Sequence, residues 1–355
     1  MPRAPQPRQA VRRMAPYNPP LEGRGDKLRL DFNENVVGCS PTVLKVLRDG
    51  ASRGFLATYP EYSEARRKLA AHLGVNADQV IIGAGTDEVI SAVLHAYVDA
   101  GDEVIIPWPS FSMFKFYTQL VGGVPRMVPY RRPDLAFPVA GIEGAVGPRT
   151  RAICIASPNN PTAGVLTTDE CERILRAADG CAVLIDEAYF DFHGETMAGL
   201  LPAWPNLFVA RTFSKAYGMA GLRIGVLASQ AENIEIVRKG QSPYGVNSLA
   251  TRCAVAAIQD REYVRDYVRH VLKARSFLCA AFDELGIRYW PSHANFVLFE
   301  LGERTQRVGA ALAERGILIR DQSAHIPGAT RVTVGPLNET VRFLAALKEV
   351  LDDES

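Results

Sequence analysis

From about residue 79 onward, short runs rich in valine and isoleucine alternate with helix-length segments, and this alternation limits the possible folds more than anything else in the chain. The runs are VII at 80–82, EVIIP at 103–107, RAICIA at 151–156, CAVLID at 181–186, LFVAR at 207–211 and RIGVLA at 223–228. Helical patterns follow the first two, near 86–98 and 111–121. Such continuous apolar runs suit strands buried on both faces, and helix-length connections suit parallel pairing. The expected class is α/β, a mostly parallel sheet covered by helices on each side.

After Asn247 the texture changes. Residues 248–285 read as long helix broken near Asp260, followed by a strand at 295–300 and a helix near 304–315. Strands at 317–320 and 330–334 and a closing helix at 338–352 complete a smaller α+β domain. Residues 28–48 join it, with one short strand and one helix. The expected division is a flexible N-terminal arm at 1–20, a large domain at 49–247, and a small domain built from 21–48 and 248–355. A length of 355 residues is about right for two packed domains. The first fourteen residues carry four arginines and no acid, but lack the apolar stretch of a signal peptide.

Bulk charge removes one class of partner. Lys plus Arg total 40 against 39 for Asp plus Glu, so a net charge of +1 offers no electrostatic footprint for nucleic acid. No apolar run approaches the length that spans a bilayer, so no membrane partner is expected. The six cysteines are scattered, without a CxxC pair or a histidine at zinc spacing. They read as reduced thiols of a cytoplasmic protein, and no metal site is expected.

In open parallel sheets, ligands bind beyond the carboxyl ends of the strands. The unusual residues fall at those ends: Gly83-Ala84-Gly85-Thr86-Asp87, Ser157-Pro158-Asn159-Asn160-Pro161-Thr162, Asp186-Glu187-Ala188-Tyr189 and Thr212-Phe213-Ser214-Lys215, with Arg223 shortly after. Together they meet the needs of a pyridine aldehyde phosphate. Lys215 is the amine that would form its imine. Asp186 fits the ring nitrogen, where a carboxylate keeps the proton and makes the ring an electron sink. Tyr189 and Asn160 fit the ring oxygen. Gly85, Thr86 and Asp87 offer N–H groups at a helix start, where the dipole favours an anion. Ser214, Thr212 and the guanidinium of Arg223 would complete the phosphate cradle.

Each motif alone has a plainer reading. Gly-x-Gly after a strand is often only a turn, and here the third glycine of a dinucleotide fingerprint is missing. Asp186 alone is an ordinary helix cap, and Asn160-Pro161 an ordinary turn. Their placement at successive strand ends is what favours chemistry.

Taken in order, the residues resemble the fold-type I pyridoxal phosphate aminotransferases, and within them the histidinol-phosphate aminotransferase branch. The resemblance covers nearly the whole chain after the arm. It runs through Asp31-Phe32-Asn33-Glu34-Asn35, Thr58-Tyr59-Pro60, Thr86-Asp87-Glu88, Pro109-Ser110-Phe111-Ser112-Met113 and Asn159-Asn160-Pro161-Thr162. It continues through Ile185-Asp186-Glu187-Ala188-Tyr189, Thr212 to Gly218, Ala220 to Gly225, Arg320-Asp321 and Arg331 to Gly335. The resemblance implies that Phe111 stacks on the cofactor ring, and that Tyr59 reaches the cofactor phosphate of a partner subunit, so that a homodimer shares its active sites. It also implies that Arg331 grips the carboxylate of an amino-acid substrate, and that Arg331, Arg320 and Tyr17 hold the phosphate of histidinol phosphate. The implied substrates are a small amino donor and a 2-oxo acid acceptor. Glu34 and Asn35 are expected at the substrate mouth.

Two positions depart from the branch. Ala163 stands where glycine usually follows Asn-Pro-Thr, which bears on the turn that aims Asn160, and Val36 replaces a proline. His72, His95 and His270 lie in helical patterns and read as core or surface residues; His293 and His325 lie in loops nearer the substrate end. Trp108 reads as packing. Rival readings on the same scaffold are an aromatic or other amino-acid aminotransferase and a threonine-phosphate decarboxylase. A silent cofactor-binding regulator and a nicotinamide-dependent dehydrogenase are more remote.

Overall fold

The computed structural model of the chain describes residues 4–353; residues 1–3 of the expected arm lie outside the described residues. The strands in chain order are β1 (Leu28–Arg29), β2 (Val80–Gly83), β3 (Glu103–Trp108), β4 (Val124–Pro129), β5 (Thr150–Ala156) and β6 (Ala182–Asp186). They continue with β7 (Leu207–Thr212), β8 (Gly225–Ala228), β9 (Phe296–Glu300), β10 (Ile317–Leu318), β11 (Arg320–Asp321) and β12 (Ala329–Thr333). Seven form the main sheet in the order β2-β8-β7-β6-β5-β3-β4.

Burial explains why those runs are apolar at every position. Ile105, Ile153, Ile155, Val183 and Ile185 join one core cluster, while Val104, Ile106, Cys154, Leu184 and Phe208 join another. Successive side chains of one strand point to opposite faces, so a sheet with helices on both sides needs apolar residues throughout. Pairing is parallel except at β8, which runs against both β7 and β2. The connection from β7 to β8 contains only a 3-10 turn at Ala220–Leu222, too little for a crossover helix.

One strand escaped the sequence reading. In β4 two prolines interrupt the apolar run, and its residues are mostly exposed or half-buried. It pairs only with β3, at the sheet edge, where a missing N–H is tolerated. In the arm, Gln9–Arg12 form one helical turn, and Arg8 Nη2 donates to Val121 O at 3.2 Å.

Beyond Asn247 the long helix breaks at Asp260 into Ser248–Gln259 and Arg261–Glu284. The strand expected at 317–320 is two strands in two sheets. β10 pairs in parallel with β1, whereas β11 pairs antiparallel with β12, which pairs in turn with β9. This split sets Arg320 directly across from Arg331. The chain leaving β1 then lies along the end of β12, with Thr333 N donating to Leu30 O at 2.8 Å.

Beneath the three-stranded sheet, Phe299 stacks on Phe282 at 4.8 Å between ring centroids and meets Phe343 edge-on at 6.4 Å. All three rings are fully buried. Phe299→Ala is expected to destabilise the protein by about 3–5 kcal/mol through lost transfer energy and an unfilled cavity, measured as a lower chemical-denaturation midpoint.

Candidate active site

A cavity of about 420 Å³ opens where the carboxyl ends of β5, β6 and β7 face β11, β12 and residues 32–34. Fourteen of the expected residues line it: Tyr17, Glu34, Thr86, Asp87, Phe111, Asn160, Asp186, Tyr189, Thr212, Ser214, Lys215, Arg223, Arg320 and Arg331.

Lys215 follows β7, and its Nζ donates to the carbonyl oxygen of Phe32 at 2.8 Å. Burial, reinforced by the cations Arg331 and Arg223, lowers its pKa to about 8, although Glu34 and Asp186 oppose the shift. Asp186 ends β6 and is 3% exposed. Burial, with the nearby Asp87 carboxylate adding to it, pushes its pKa up to about 7 against the restraint of the Ala188 N–H at 3.1 Å. Ordinary values far apart thus converge near neutrality, because a poorly hydrated site disfavours either charge.

On the ring-oxygen side expected from sequence, Tyr189 OH accepts from Asn33 Nδ2 at 2.8 Å. Asn160 Oδ1 accepts from Arg331 Nη1. At the other end, the helix Thr86–Tyr97 starts from Gly85, whose φ of +81° is left-handed. A Cβ there would also lie 2.6 Å from Arg223 Nη2, so glycine serves both the backbone and the guanidinium. Arg223 Nη2 pairs with Asp87 Oδ2 at 3.0 Å, and Thr212 Oγ1 donates to Ser214 Oγ at 3.0 Å. Gly85 itself is not on the wall; it shapes what stands there.

Arg331 is only 5% exposed. Its Nη2 donates to the carbonyl oxygen of Asp31, while its Nε has no partner among the described residues. Burial lowers its pKa to about 10, with Arg320 adding to the effect. The Arg320 guanidinium lies over the Phe32 ring, 5.6 Å from its centroid.

Two expected residues are placed elsewhere. Asn35 is not at the mouth. Its amide donates to Ala216 O at 3.1 Å and accepts from Val37 N and Gly38 N, so the side chain folds back to close its own turn. Tyr59 is 77% exposed, meets Tyr244 at 4.8 Å, and lines a separate groove. Glu34 does line the cavity and is held by Arg24 at 2.7 Å. Ala163 adopts φ +57°, the left-handed conformation that glycine takes more readily, and its N–H still reaches Asn159 O at 2.7 Å.

Sequence reasoning gave no role to Phe32 or Asn33. Phe32 contributes a main-chain carbonyl, which no side-chain pattern reveals. Asn33 carried a signal, because its φ of +56° suits asparagine better than most residues. His325 also reaches the wall.

The cavity suits a flat, anionic ligand with an electrophilic carbon. It offers a partly neutral amine, an acid at a strand end, and hydroxyls with a guanidinium at a helix start. The nearly buried guanidinium of Arg331 adds a positive charge to the wall. Among the described residues, no group of three or more His, Cys, Asp or Glu could hold a metal ion, and no helix is long and apolar enough to cross a membrane.

Residues 25–347 match the family model for aminotransferase class I and II. A histidinol-phosphate aminotransferase of Symbiobacterium thermophilum is 36% identical, covering 98% of this chain and 99% of its own. An aromatic amino acid aminotransferase of Cutibacterium acnes is 34% identical, covering 97% of this chain and 98% of its own. Among solved structures, the histidinol-phosphate aminotransferase from Sinorhizobium meliloti in complex with pyridoxal-5′-phosphate aligns with a TM-score of 0.87 at 26% identity, covering 98% of each chain.

The raised pKa of Asp186 has a thermodynamic consequence. Its folded value stands above its unfolded value near 4, so its contribution to stability declines as pH rises from about 4 to about 7. In protein stripped of small molecules, Asp186→Asn is expected to raise the unfolding free energy by on the order of 2–4 kcal/mol at pH 8 and by little at pH 4. Melts at both pH values check this; an equal change at both contradicts it.

Proposed function

Because the chain belongs to the class I and II aminotransferase family, we propose that it moves an amino group between histidinol phosphate and 2-oxoglutarate, with pyridoxal 5′-phosphate held in the cavity around Lys215. One observation carries the choice of substrate: Arg320 and Arg331 stand directly across β11 and β12 in the cavity that contains the amine. Two adjacent guanidinium groups repel each other until an anion joins them, and a phosphate monoester carries nearly two negative charges. The relative from Symbiobacterium thermophilum supports the same reading.

Asp186 would hold the cofactor's ring nitrogen, Asn160 and Tyr189 its ring oxygen, and Phe111 its face. Gly85, Thr86, Asp87, Thr212, Ser214 and Arg223 would surround its phosphate. Bound there, pyridoxal 5′-phosphate supplies an aldehyde that exchanges amines and a ring that accepts the electron pair released at the substrate's amine-bearing carbon. Lys215 would take the proton from that carbon, hold it on Nζ and deliver it to the carbon that had been the aldehyde, so that the donor leaves as a keto product. A pKa lowered to about 8 leaves a usable fraction of free base near neutrality, while the protonated form remains a competent donor. The Phe32 carbonyl fixes the amine from behind. Arg320, Arg331 and Tyr17 orient whichever substrate is present by its anionic tail, so that one site serves both half-reactions.

The active form in this reading is a homodimer in which the exposed Tyr59 reaches the partner's cofactor phosphate. The six free cysteines support a reducing, cytoplasmic setting. Sheet membership supports a large domain at 49–247 and a small one from 21–48 and 248–355, preceded by the arm. A second reading, aromatic amino-acid transamination, is favoured by the Cutibacterium acnes relative and by the rings of Phe32 and Phe111 on the cavity wall.

Two measurements test the proposal. Borohydride reduction of the holoenzyme followed by peptide mapping is expected to leave a pyridoxyl group on Lys215, and Lys215→Ala to abolish turnover; label on another lysine refutes the assignment. With 2-oxoglutarate as acceptor, histidinol phosphate is expected to give a higher kcat/KM than phenylalanine. Preference for phenylalanine supports the second reading, and carbon dioxide release from threonine phosphate points to decarboxylation.

A further inference from the structure

One titratable side chain on the cavity wall has no part in the proton transfer. His325 lies on the loop between β11 and β12, just beyond Arg320. That loop is a folded turn: the N–H groups of His325 and Ile326 both donate to Gln322 O at 2.9 Å, and Ile326 is buried beneath it. Arg132 Nη2 donates to His325 O at 3.2 Å, which fixes the main chain from the other side. The segment bearing Arg132 is itself anchored, because Pro133 O accepts from Trp290 Nε1 at 3.0 Å and from Arg288 Nη2 at 2.9 Å.

The imidazole is also oriented. It stands edge-on to the Trp108 indole, with centroids 5.1 Å apart and planes at 77°. Trp108 ends β3, so this contact joins the strand ends of the main sheet to the loop that follows Arg320. Partial burial and the cation of Lys115 lower the His325 pKa below its ordinary value. Near pH 7 the ring is therefore mainly neutral, with one nitrogen donating and the other accepting.

A substrate amine carbon has to sit at Lys215 and its anionic tail at the arginine pair. Gln322, Ala324 and His325 line the same cavity, and we seat the remaining substituent against them. We propose that His325 is a specificity-determining residue, which selects a substrate side chain able both to donate and to accept a hydrogen bond, such as an imidazole, over a plain aryl ring. This rests on the histidinol phosphate reading above. A polar wall discriminates by leaving its own groups unpaired when the wrong ring enters.

The experiment compares wild type, His325→Phe and His325→Gln holoenzymes in steady-state kinetics with histidinol phosphate, phenylalanine and glutamate as amino donors. In His325→Phe, kcat/KM for histidinol phosphate is expected to fall about tenfold relative to the other two donors, mainly through KM, as loss of one hydrogen bond predicts. His325→Gln keeps a donor and an acceptor, and is expected to recover most of the loss. Equal losses with all three donors, or no loss, overturn the proposal and reduce His325 to a loop residue. A wild-type enzyme that turns over phenylalanine but not histidinol phosphate overturns the substrate reading and this inference together. Wild-type turnover of histidinol phosphate with an unselective His325→Phe overturns this inference alone.

Discussion

A single buried guanidinium holds the site together. Arg331 extends from β12, and its two terminal nitrogens donate to Asn160 in the loop after β5 and to the main chain at Asp31. Three segments distant in sequence therefore meet on one charge. Taking an ion of this kind out of water costs several kcal/mol, which two hydrogen bonds to neutral oxygens offset only in part. Arg320 directly opposite adds repulsion, and Nε is left without a partner among the described residues. Such an arrangement persists because the surrounding sheet and loops over-determine it.

The same charge acts on the amine. Burial is the larger influence on Lys215, and Arg331 is the next, so one buried cation both ties the loops together and depresses the amine. Asp186 experiences the opposite drift for the same reason. A water-poor cavity brings an acid and a base toward a common pKa, where either can exchange a proton near pH 7. That poise is bought with stability, because each group would be better solvated in the unfolded chain.

The main sheet was legible because burial on two faces removes polar residues from every strand position. The strand-end residues were legible for a related reason: polar and conformationally special residues break those apolar runs abruptly. β4 was hidden because an edge strand tolerates prolines and exposed positions that read as loop. The run at 317–320 read as one strand because local sequence does not say which sheet a residue joins. Only the tertiary arrangement separates Leu318, paired with Arg29, from Arg320, paired with Arg331. Asn35 was misplaced because an asparagine that closes a turn and one that faces a ligand look alike in sequence. The arginine pair itself was visible as two residues, but its cross-strand register was not.

Residues 31–34 show how closely recognition and chemistry are joined. Phe32 gives its carbonyl oxygen to Lys215 and its ring face to Arg320, while Arg24 lies over the same ring at 4.3 Å. Arg24 is fixed in turn by Asp31 at 2.8 Å and Glu34 at 2.7 Å. Asn33, next in the chain, holds the Tyr189 hydroxyl and is itself tied to β12 through Thr333. Lys215, Tyr189 and Arg320 therefore share a single anchored segment. Under the proposed reading, two substrates with different tails would use one geometry because the groups assigned to the anion and the amine assigned to the proton are positioned from the same short stretch of backbone.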